Sequence, residues 1–182
     1  MFNKWVRSLA IVVASLGLVS AAWADRLEEI ITKGVIRIGV PLDVPPFGSQ
    51  NVNREAEGFD VDMANMVAKA MGVKLELTQI TGANRLPFLL TDKVDVVISV
   101  MGLTPERAKQ IMFSAPYANT SLAVYGPKNI SVKSPAELAN YKVAAAKGTT
   151  QELALSAANP KANIMRTEDD ATAAAAYLSG QA

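Results

Sequence analysis

The sequence predicts an α/β protein made of two units, each with a parallel sheet and helices on its faces. Three observations lead to this prediction. Apolar runs of strand length alternate with helix-length segments over residues 26–113. A polar segment with a proline, residues 114–121, interrupts that alternation, which resumes over residues 134–178. Parallel strands need crossover connections, and the intervening helices supply them.

The first unit begins with a helix, a strand and a loop. Residues 26–33 carry apolar side chains at helical spacing and are stopped by Gly34, so we predict a short helix. Residues 35–40 are an apolar run typical of a strand. Residues 41–50 contain three prolines and therefore predict a loop of fixed shape. The polar residues 51–57 favour a hairpin or a surface loop.

The remainder of the first unit repeats helix and strand. A helix is predicted to end at Gly72, with Met63, Met66 and Met71 in the core. Asp60 and Asp62 precede it, and we interpret them as acids that stabilise the helix dipole rather than as a catalytic pair. Further elements are predicted as a strand at 73–77, a helix at 84–90 and a strand at 94–98.

The second unit is predicted to begin with an extended segment, followed by a helix start and a strand. Residues 122–125 are apolar and read as extended chain. Ser134 and Glu137 fit a capping box, with Pro135 at the first helical position. A strand is expected at 142–146.

Three more elements complete the second unit. Thr149 and Glu152 fit a second capping box, which opens a helix at 153–158. A strand is expected at 162–166, and Thr167 with Asp170 is expected to cap an alanine-rich helix. No closing strand follows, which suggests a truncated record; a naturally short version is the alternative.

The amino terminus has the pattern of a secretory signal peptide. Lys4 and Arg7 are followed by the uncharged residues 8–22, and Ala22-Trp23-Ala24 offers a small-x-small cleavage pattern. The sequence therefore predicts a leader over residues 1–24, cleaved after Ala24, and a periplasmic protein. An uncleaved anchor is the alternative.

Composition excludes several classes of function. Removing the leader lowers the Lys and Arg count from 18 to 16 against 17 Asp and Glu, so the net charge changes from +1 to −1. Such a balance gives no electrostatic reason for binding nucleic acid or anionic membranes. Without His or Cys there is no imidazole base, no Cys or Ser–His nucleophile pair and no ordinary zinc site. We therefore predict no metal and no cofactor.

The first candidate site follows the predicted strand at 94–98. Thr104-Pro105 has the pattern of a helix start, with Thr as the N-cap and Pro at the first helical position. Arg107 would then lie at the positive end of that helix, which favours a shared anion. A guanidinium binds a carboxylate bidentately, so we predict a carboxylate site; an ordinary surface arginine is the alternative.

The second candidate site is Gly148-Thr149-Thr150. Free N–H groups at a helix start, together with hydroxyl groups, can bind an anion, although ordinary capping explains them equally well. Ligands of parallel sheets lie outside the carboxyl ends of the strands. Phe47, Arg107 and residues 82–85 all follow predicted strands, so we expect them at one edge.

Seven short motifs occur in an order that resembles the polar amino-acid-binding periplasmic proteins of ABC importers, the family 3 solute-binding proteins. The resemblance runs from about Leu27 to the end of the chain. The motifs are Ile36-Arg37-Ile38-Gly39, Pro45-Pro46-Phe47, Gly58-Phe59-Asp60-Val61-Asp62, Lys93-Val94-Asp95, Thr104-Pro105-Glu106-Arg107-Ala108, Phe113-Ser114-x-Pro116-Tyr117 and Gly148-Thr149-Thr150-Gln151-Glu152.

The resemblance implies two α/β lobes that are joined by a two-strand hinge and close on an amino acid. The implied divisions are lobe 1 over residues 25–115, a hinge crossing over 116–126 with Tyr117 as hinge packing, and a partial lobe 2 over 127–182. The family's carboxy-terminal part, which finishes lobe 2, is then missing. The implied partners are an amino acid and, transiently, a membrane ABC permease, with the protein a monomer.

The resemblance also assigns roles to individual positions. Arg107 would bind the ligand α-carboxylate, and Thr150 with its neighbouring amides would meet the same group from lobe 2. The backbone near Gly102 and Thr104 would add polar contacts. Arg85 resembles an arginine that faces the ligand side chain in binders of acidic amino acids; a salt bridge at the rim is its alternative.

Departures from the family pattern bear on specificity. Binders of basic amino acids carry an acid and an aromatic residue where this chain has Pro41 and Val44. A cationic side chain would be buried unpaired, so an acidic or uncharged polar ligand is expected. Asp43 is a candidate for the ligand ammonium group.

Two other functions remain open. Cyclohexadienyl dehydratases share the implied fold, so an enzyme of that type is the first alternative. The same lobes also occur as extracellular sensors fused to membrane kinases and channels, which is the second.

Overall fold

The computed structural model describes residues 26–182, and the predicted leader lies outside the described residues. The helices are α1 (Arg26–Lys33), α2 (Phe59–Met71), α3 (Arg85–Leu90), α4 (Pro105–Ala108), a 3₁₀ helix (Pro135–Asn140), α5 (Thr150–Ala158) and α6 (Asp170–Leu178). The strands are β1 (Val35–Pro41), β2 (Ser49–Gln50), β3 (Ala56–Glu57), β4 (Lys74–Ile80), β5 (Val96–Val97), β6 (Lys142–Ala146) and β7 (Asn163–Thr167).

The first unit is built on a parallel sheet with strand order β4-β1-β5. β1 is central and buried along most of its length, with Ile36, Ile38 and Val40 fully covered. Such a near-continuous apolar run is characteristic of a strand with both faces packed. Ile30 of α1 and Val61 of α2 join this core.

Helix α2 packs its small residues, rather than all its methionines, against β1. Ala64 and Ala68 are fully buried, whereas Met66 is largely exposed, so its predicted place in the core is wrong. Met63 and Met71 lie partly buried against the core. Gly72 ends the helix in the left-handed conformation that glycine adopts without a steric penalty.

An ion-pair network lies beside the start of β1. The Asp95 carboxylate, 3% exposed, accepts hydrogen bonds from the Arg37 backbone at 2.8 Å and from the Arg37 guanidinium at 2.6 Å and 3.1 Å. Burial raises the pKa of Asp95, but the hydrogen bonds and charge of Arg37, with Arg26 adding to them, lower it more. The net effect is a pKa below the ordinary value.

We expect replacement of Asp95 by Asn to destabilise the fold at pH 7 by about 1–3 kcal/mol. Because its folded-state pKa is depressed, the ionised Asp95 stabilises the fold above its unfolded pKa of about 3.9, and this contribution is lost as the pH falls through the folded value. Urea unfolding between pH 7 and pH 2.5 should show a shallower pH dependence for Asp95→Asn than for the parent. The exposed Glu28→Gln serves as the control, and equal slopes for Asp95→Asn and the parent would contradict the role.

The proline-rich loop after β1 is held in a compact turn. The Pro45–Pro46 peptide bond is cis, and Val44 pairs with Gly48. The carbonyl oxygens of Pro46 and Phe47 accept the amides of Phe59 and Asp60 at the start of α2, at 3.1 Å and 2.7 Å. The loop is therefore fixed to lobe 1, and residues 49–57 form the predicted hairpin.

The second unit has a two-stranded parallel sheet, β6-β7, with α5 and α6 packed against it. The predicted helix at 134–137 is a 3₁₀ helix, and its capping box does not form in the usual way. The Glu137 carboxylate accepts the Lys133 amide and the Ser134 hydroxyl instead of the Ser134 amide. Residues 122–125 are exposed and in no strand.

The cap of α6 also differs from the prediction. Asp169, not Thr167, accepts the amide of Thr172 at 2.7 Å, while the Thr167 hydroxyl donates to the Asp169 carbonyl. The local sequence Thr-Glu-Asp-Asp offers several side chains that can cap a helix, so spacing alone does not distinguish them. Over residues 26–182 no helix is both long enough and apolar enough to span a membrane.

Candidate ligand-binding site

The candidate site lies where the loops after β1, β4 and β5 meet the starts of α5 and α6. These loops leave the carboxyl ends of three parallel strands of the first unit. The helix starts follow β6 and β7 of the second unit. The structure thus places both predicted anion sites in the same cleft, although their residues are more than 40 positions apart.

Arg107 connects the two sides of this cleft. Thr104 caps α4, and its hydroxyl accepts the Arg107 amide at 3.3 Å. The guanidinium, in a residue 5% exposed, donates to the Gly102 carbonyl at 2.6 Å, the Thr150 hydroxyl at 3.0 Å and the Gly148 carbonyl at 2.9 Å. Burial lowers its pKa. All three acceptors are neutral, so the positive charge has no counterion among the described residues.

Thr149 and Thr150 form hydrogen bonds with different parts of the structure. The Thr149 hydroxyl caps α5 by accepting the Glu152 amide at 3.2 Å and donates to the Ala146 carbonyl. Glu152 does not complete the predicted capping box, because its carboxylate pairs with Arg166 at 2.9 Å. The Thr150 hydroxyl accepts from the Gly102 amide at 3.2 Å as well as from Arg107. Thr150 is therefore the threonine that bridges the cleft.

Glycine residues allow the two sides to touch. A Cβ atom at Gly82 would lie 2.5 Å from the Lys147 carbonyl oxygen, and one at Gly148 would lie 2.7 Å from the Gly82 carbonyl oxygen. A Cβ atom at Gly102 would lie 2.8 Å from the Thr150 hydroxyl. Backbone meets backbone at Gly82 and Gly148, and backbone meets the Thr150 side chain at Gly102, so the cleft is closed in this structure.

Arg85 is a buried cation rather than a salt bridge at the rim. The residue is 4% exposed, and its guanidinium donates to the Ser99 hydroxyl and the Val100 carbonyl at 3.1 Å each, and to the Gly148 carbonyl at 3.4 Å. Its Nε has no hydrogen-bond partner. Burial, reinforced by the charge of Arg107 and opposed by Asp170, lowers its pKa to about 10, so it stays protonated at neutral pH.

Asp43 makes a contact that was not predicted from the sequence. Its Oδ2 accepts the Asp170 amide at 2.9 Å, across the cleft and 127 residues along the chain. The sequence predicts Asp170 only as a helix-capping residue. The rule that ligands lie beyond strand carboxyl ends could have identified it, because it follows β7 closely.

Phe47 packs against another aromatic residue of the first unit. Its ring packs edge-on against Phe59, 6.3 Å between centroids, and Phe59 stacks on Tyr117 at 6.0 Å. Phe47 and Tyr117 border a groove of about 520 Å³ beside β5 and residues 111–120. The predicted packing role of Tyr117 agrees with these contacts, while Phe47 does not border the cavity between Arg85 and Asp170.

Asp60 is fully buried behind the cleft. Its Oδ1 accepts the Tyr117 hydroxyl at 3.0 Å, and its Oδ2 has no partner. Burial raises the pKa of Asp60, against the opposing effects of Tyr117 and the Val100 amide. Asp62, by contrast, is exposed. The Tyr117 hydroxyl also lies 3.0 Å from the Ser99 carbonyl oxygen, so Tyr117 connects Asp60 to the Ser99-Val100 segment. Within residues 26–182 no cluster of three potential ligands could hold a metal ion.

The family model of the bacterial extracellular solute-binding proteins, family 3, matches residues 36–176. The chain belongs to this family. The resemblance inferred from the seven motifs is therefore confirmed, and the family description places its members outside the cell.

Individual relatives of this family 3 protein bind amino acids. The glutamine-binding protein of Geobacillus stearothermophilus is 31% identical over 167 residues, which are 89% of this chain and 64% of the relative. The ABC transporter arginine-binding protein 1 of Escherichia coli (strain K12) is 37% identical over 117 residues, 64% of this chain and 48% of the relative. The chain thus spans less than two thirds of the length of these relatives.

A solved structure confirms the two-lobe α/β fold. The ancestral amino acid-binding protein AncCDT-1, described as a precursor of cyclohexadienyl dehydratase, is 38% identical and superposes with a TM-score of 0.80. The match covers 86% of this chain and 70% of that protein. The first unit is lobe 1 and the second is the smaller lobe 2; the predicted boundaries at 115, 126 and 127 stay predictions.

Proposed function

We propose that the protein is a periplasmic receptor that closes on an amino acid and delivers it to an ABC permease. An amino acid with an acidic or uncharged polar side chain is favoured over a basic one. The receptor would act as a monomer, without cofactor or metal, and reach the periplasm through the leader cleaved after Ala24. Membership of an extracellular solute-binding family supports this proposal.

The observation that carries the proposal is the pair of buried guanidinium groups in the cleft. Arg85 and Arg107 are each about 95% buried, and neither forms an ion pair within 4.0 Å with any carboxylate of residues 26–182. A buried cation without a counterion is costly, and an anionic ligand group that takes up its donors removes that cost. In the proposed complex the ligand α-carboxylate replaces the Gly102 and Gly148 carbonyls at Arg107.

Lobe closure provides the second part of the mechanism. The contacts of Arg107 with Thr150 and Gly148 already join the lobes in this structure. A ligand enters only when these contacts open, and its carboxylate then bridges the same groups. Binding energy thus drives hinge closure of the kind that periplasmic binding proteins use.

A dehydratase is the competing function, since AncCDT-1 is described as a precursor of cyclohexadienyl dehydratase. Such an enzyme needs an acid in the cleft, and Asp170 is a half-buried acid whose pKa burial raises. Turnover of prephenate by the purified protein would support this alternative.

Thermal unfolding against the twenty common amino acids and prephenate tests the proposal. A ligand at a hundredfold excess over its Kd stabilises the folded state by about 2.7 kcal/mol, which raises the Tm by about 5–11 °C in a protein of this size. We expect such a rise with at least one acidic or uncharged polar amino acid, and none with Lys or Arg. A rise with prephenate alone would favour the enzyme, and no rise with any compound would contradict the receptor.

A further inference from the structure

A small cavity in the closed cleft is bordered by charges of both signs. It measures about 30 Å³, room for one or two water molecules, and so accommodates the end of a side chain but not a whole amino acid. Arg85 borders it from lobe 1 and Asp170 from lobe 2, while Asp43 lies beside Asp170. The inference below rests on the proposed function and concerns the ligand side chain.

Arg85 offers this cavity a hydrogen-bond donor. Its five N–H groups form three hydrogen bonds, to Ser99, Val100 and Gly148, and the donors left over include the buried Nε, which has no partner. A buried donor that is left unpaired costs about 1–3 kcal/mol, and a ligand acceptor would remove that cost. The guanidinium is also fixed in position by its other contacts, so the donor is oriented before a ligand arrives.

Asp170 and Asp43 offer acceptors on the opposite side. One Asp43 oxygen accepts the Asp170 amide, and the Asp170 carboxylate forms no ion pair within 4.0 Å in the described part of the chain. Burial raises the pKa of Asp170, the charges of Asp43 and Asp169 act in the same direction, and Arg85 opposes them. The cavity therefore presents a donor and a carboxylate acceptor to the same small volume.

We propose that this cavity selects a neutral carboxamide, as in the side chains of glutamine and asparagine. A carboxamide carries an acceptor oxygen and donor N–H groups on one carbon atom. Its oxygen accepts from the Arg85 guanidinium, and its nitrogen donates to Asp170. Arg107 remains available for the α-carboxylate at the other end of the ligand.

The same lining rejects side chains of either charge. A carboxylate would meet Arg85 but would also lie against Asp170 and Asp43, where like charges repel. A guanidinium or ammonium group would meet the two acids but lie against Arg85. Specificity then comes from repulsion of both charged classes as well as from attraction of the neutral one. Of the two ligand types proposed above, acidic and uncharged polar amino acids, the cavity therefore favours the uncharged ones.

The test is calorimetric titration of the full-length protein with L-glutamine, L-asparagine, L-glutamate, L-aspartate, L-arginine and L-lysine. We expect the better carboxamide to bind at least about tenfold more tightly than the acid of equal length and than either basic amino acid, which is 1.4 kcal/mol. Asp170→Asn keeps the side-chain shape and removes the charge. It should reduce the preference for the amide over the acid by about tenfold.

Glu168→Gln is the matched control, since Glu168 is an exposed acid of the same loop that pairs with Lys147 at the surface. It should leave the preference unchanged. Asp170→Ser, which also suits a helix start, replaces Asp170→Asn if circular dichroism shows that the latter misfolds.

Two kinds of failure can be told apart. Tighter binding of glutamate, aspartate or a basic amino acid, or an unchanged preference in the folded Asp170 variant, overturns the carboxamide inference and leaves the receptor standing. Absence of binding for all six compounds and for the rest of the twenty overturns the receptor and the inference together.

Discussion

Replacement of Arg107 by Ala is expected to weaken amino-acid binding about thirtyfold or more while the fold survives. The guanidinium joins Gly102 of lobe 1 to Gly148 and Thr150 of lobe 2, and it is the proposed partner of the ligand α-carboxylate. Removing one partner of a buried, hydrogen-bonded charge pair costs about 2–5 kcal/mol, which weakens binding about thirtyfold or more. Titration calorimetry with the ligand identified by thermal unfolding measures the loss.

Two further variants test whether binding needs the planar guanidinium group of Arg107 or only a positive charge near this helix. Arg107→Lys keeps the charge but cannot form the same set of directed bonds, so its affinity should fall between those of the parent and Arg107→Ala. Lys109→Ala removes an exposed cation at the end of the same short helix and should bind like the parent. An Arg107→Ala protein with unchanged affinity and an intact circular dichroism spectrum would show that the carboxylate binds elsewhere.

Replacement of Gly82 by Ala is expected to prevent full closure of the lobes. The new Cβ atom would lie 2.5 Å from the Lys147 carbonyl oxygen and 2.6 Å from Thr149 Cγ2. The first of these is backbone at the end of β6 and cannot rotate away, so the lobes must separate to relieve the clash. Gly82 does not have a positive φ, and lobe 1 should therefore fold normally.

Small-angle X-ray scattering detects the expected opening. The Gly82→Ala protein should keep a larger radius of gyration than the parent at saturating ligand, and its affinity should be lower by about tenfold or more, because overpacking costs about 1–3 kcal/mol. Val52→Ala is the control, since Val52 is 99% exposed in the turn of the β2-β3 hairpin and lies outside both the cleft and the predicted hinge. Equal radii for Gly82→Ala and the parent would refute the contact as a condition of closure.

Much of the secondary structure could be predicted because its causes are local. The bounds of α1 follow from apolar spacing and the glycine after it, and those of α2 from the left-handed cap at Gly72. Thr104 and Pro105 predicted the start of α4 for the same reason, since a cap needs only residues within one turn.

Predictions of individual side-chain partners were less successful. Ser134 and Glu137 have the spacing of a capping box but form other hydrogen bonds, and Asp169 rather than Thr167 caps α6. Asp60 is at a helix start, yet its partner is Tyr117, 57 residues later. The first two cases offer alternative local hydrogen bonds with similar spacing, and in the third a contact 57 residues away supplies the partner.

The sequence by itself determined the alternation of strands and helices, the two helix starts that favour anions and the family, because these depend on residue order and short spacing. Only the tertiary structure decided that Arg107 bridges the lobes, that Arg85 is buried with a free donor and that Asp43 meets Asp170. Contacts between residues 41 to 127 positions apart depend on how two separately formed lobes pack together. Their geometry is set by burial and close packing, which spacing along the chain does not encode.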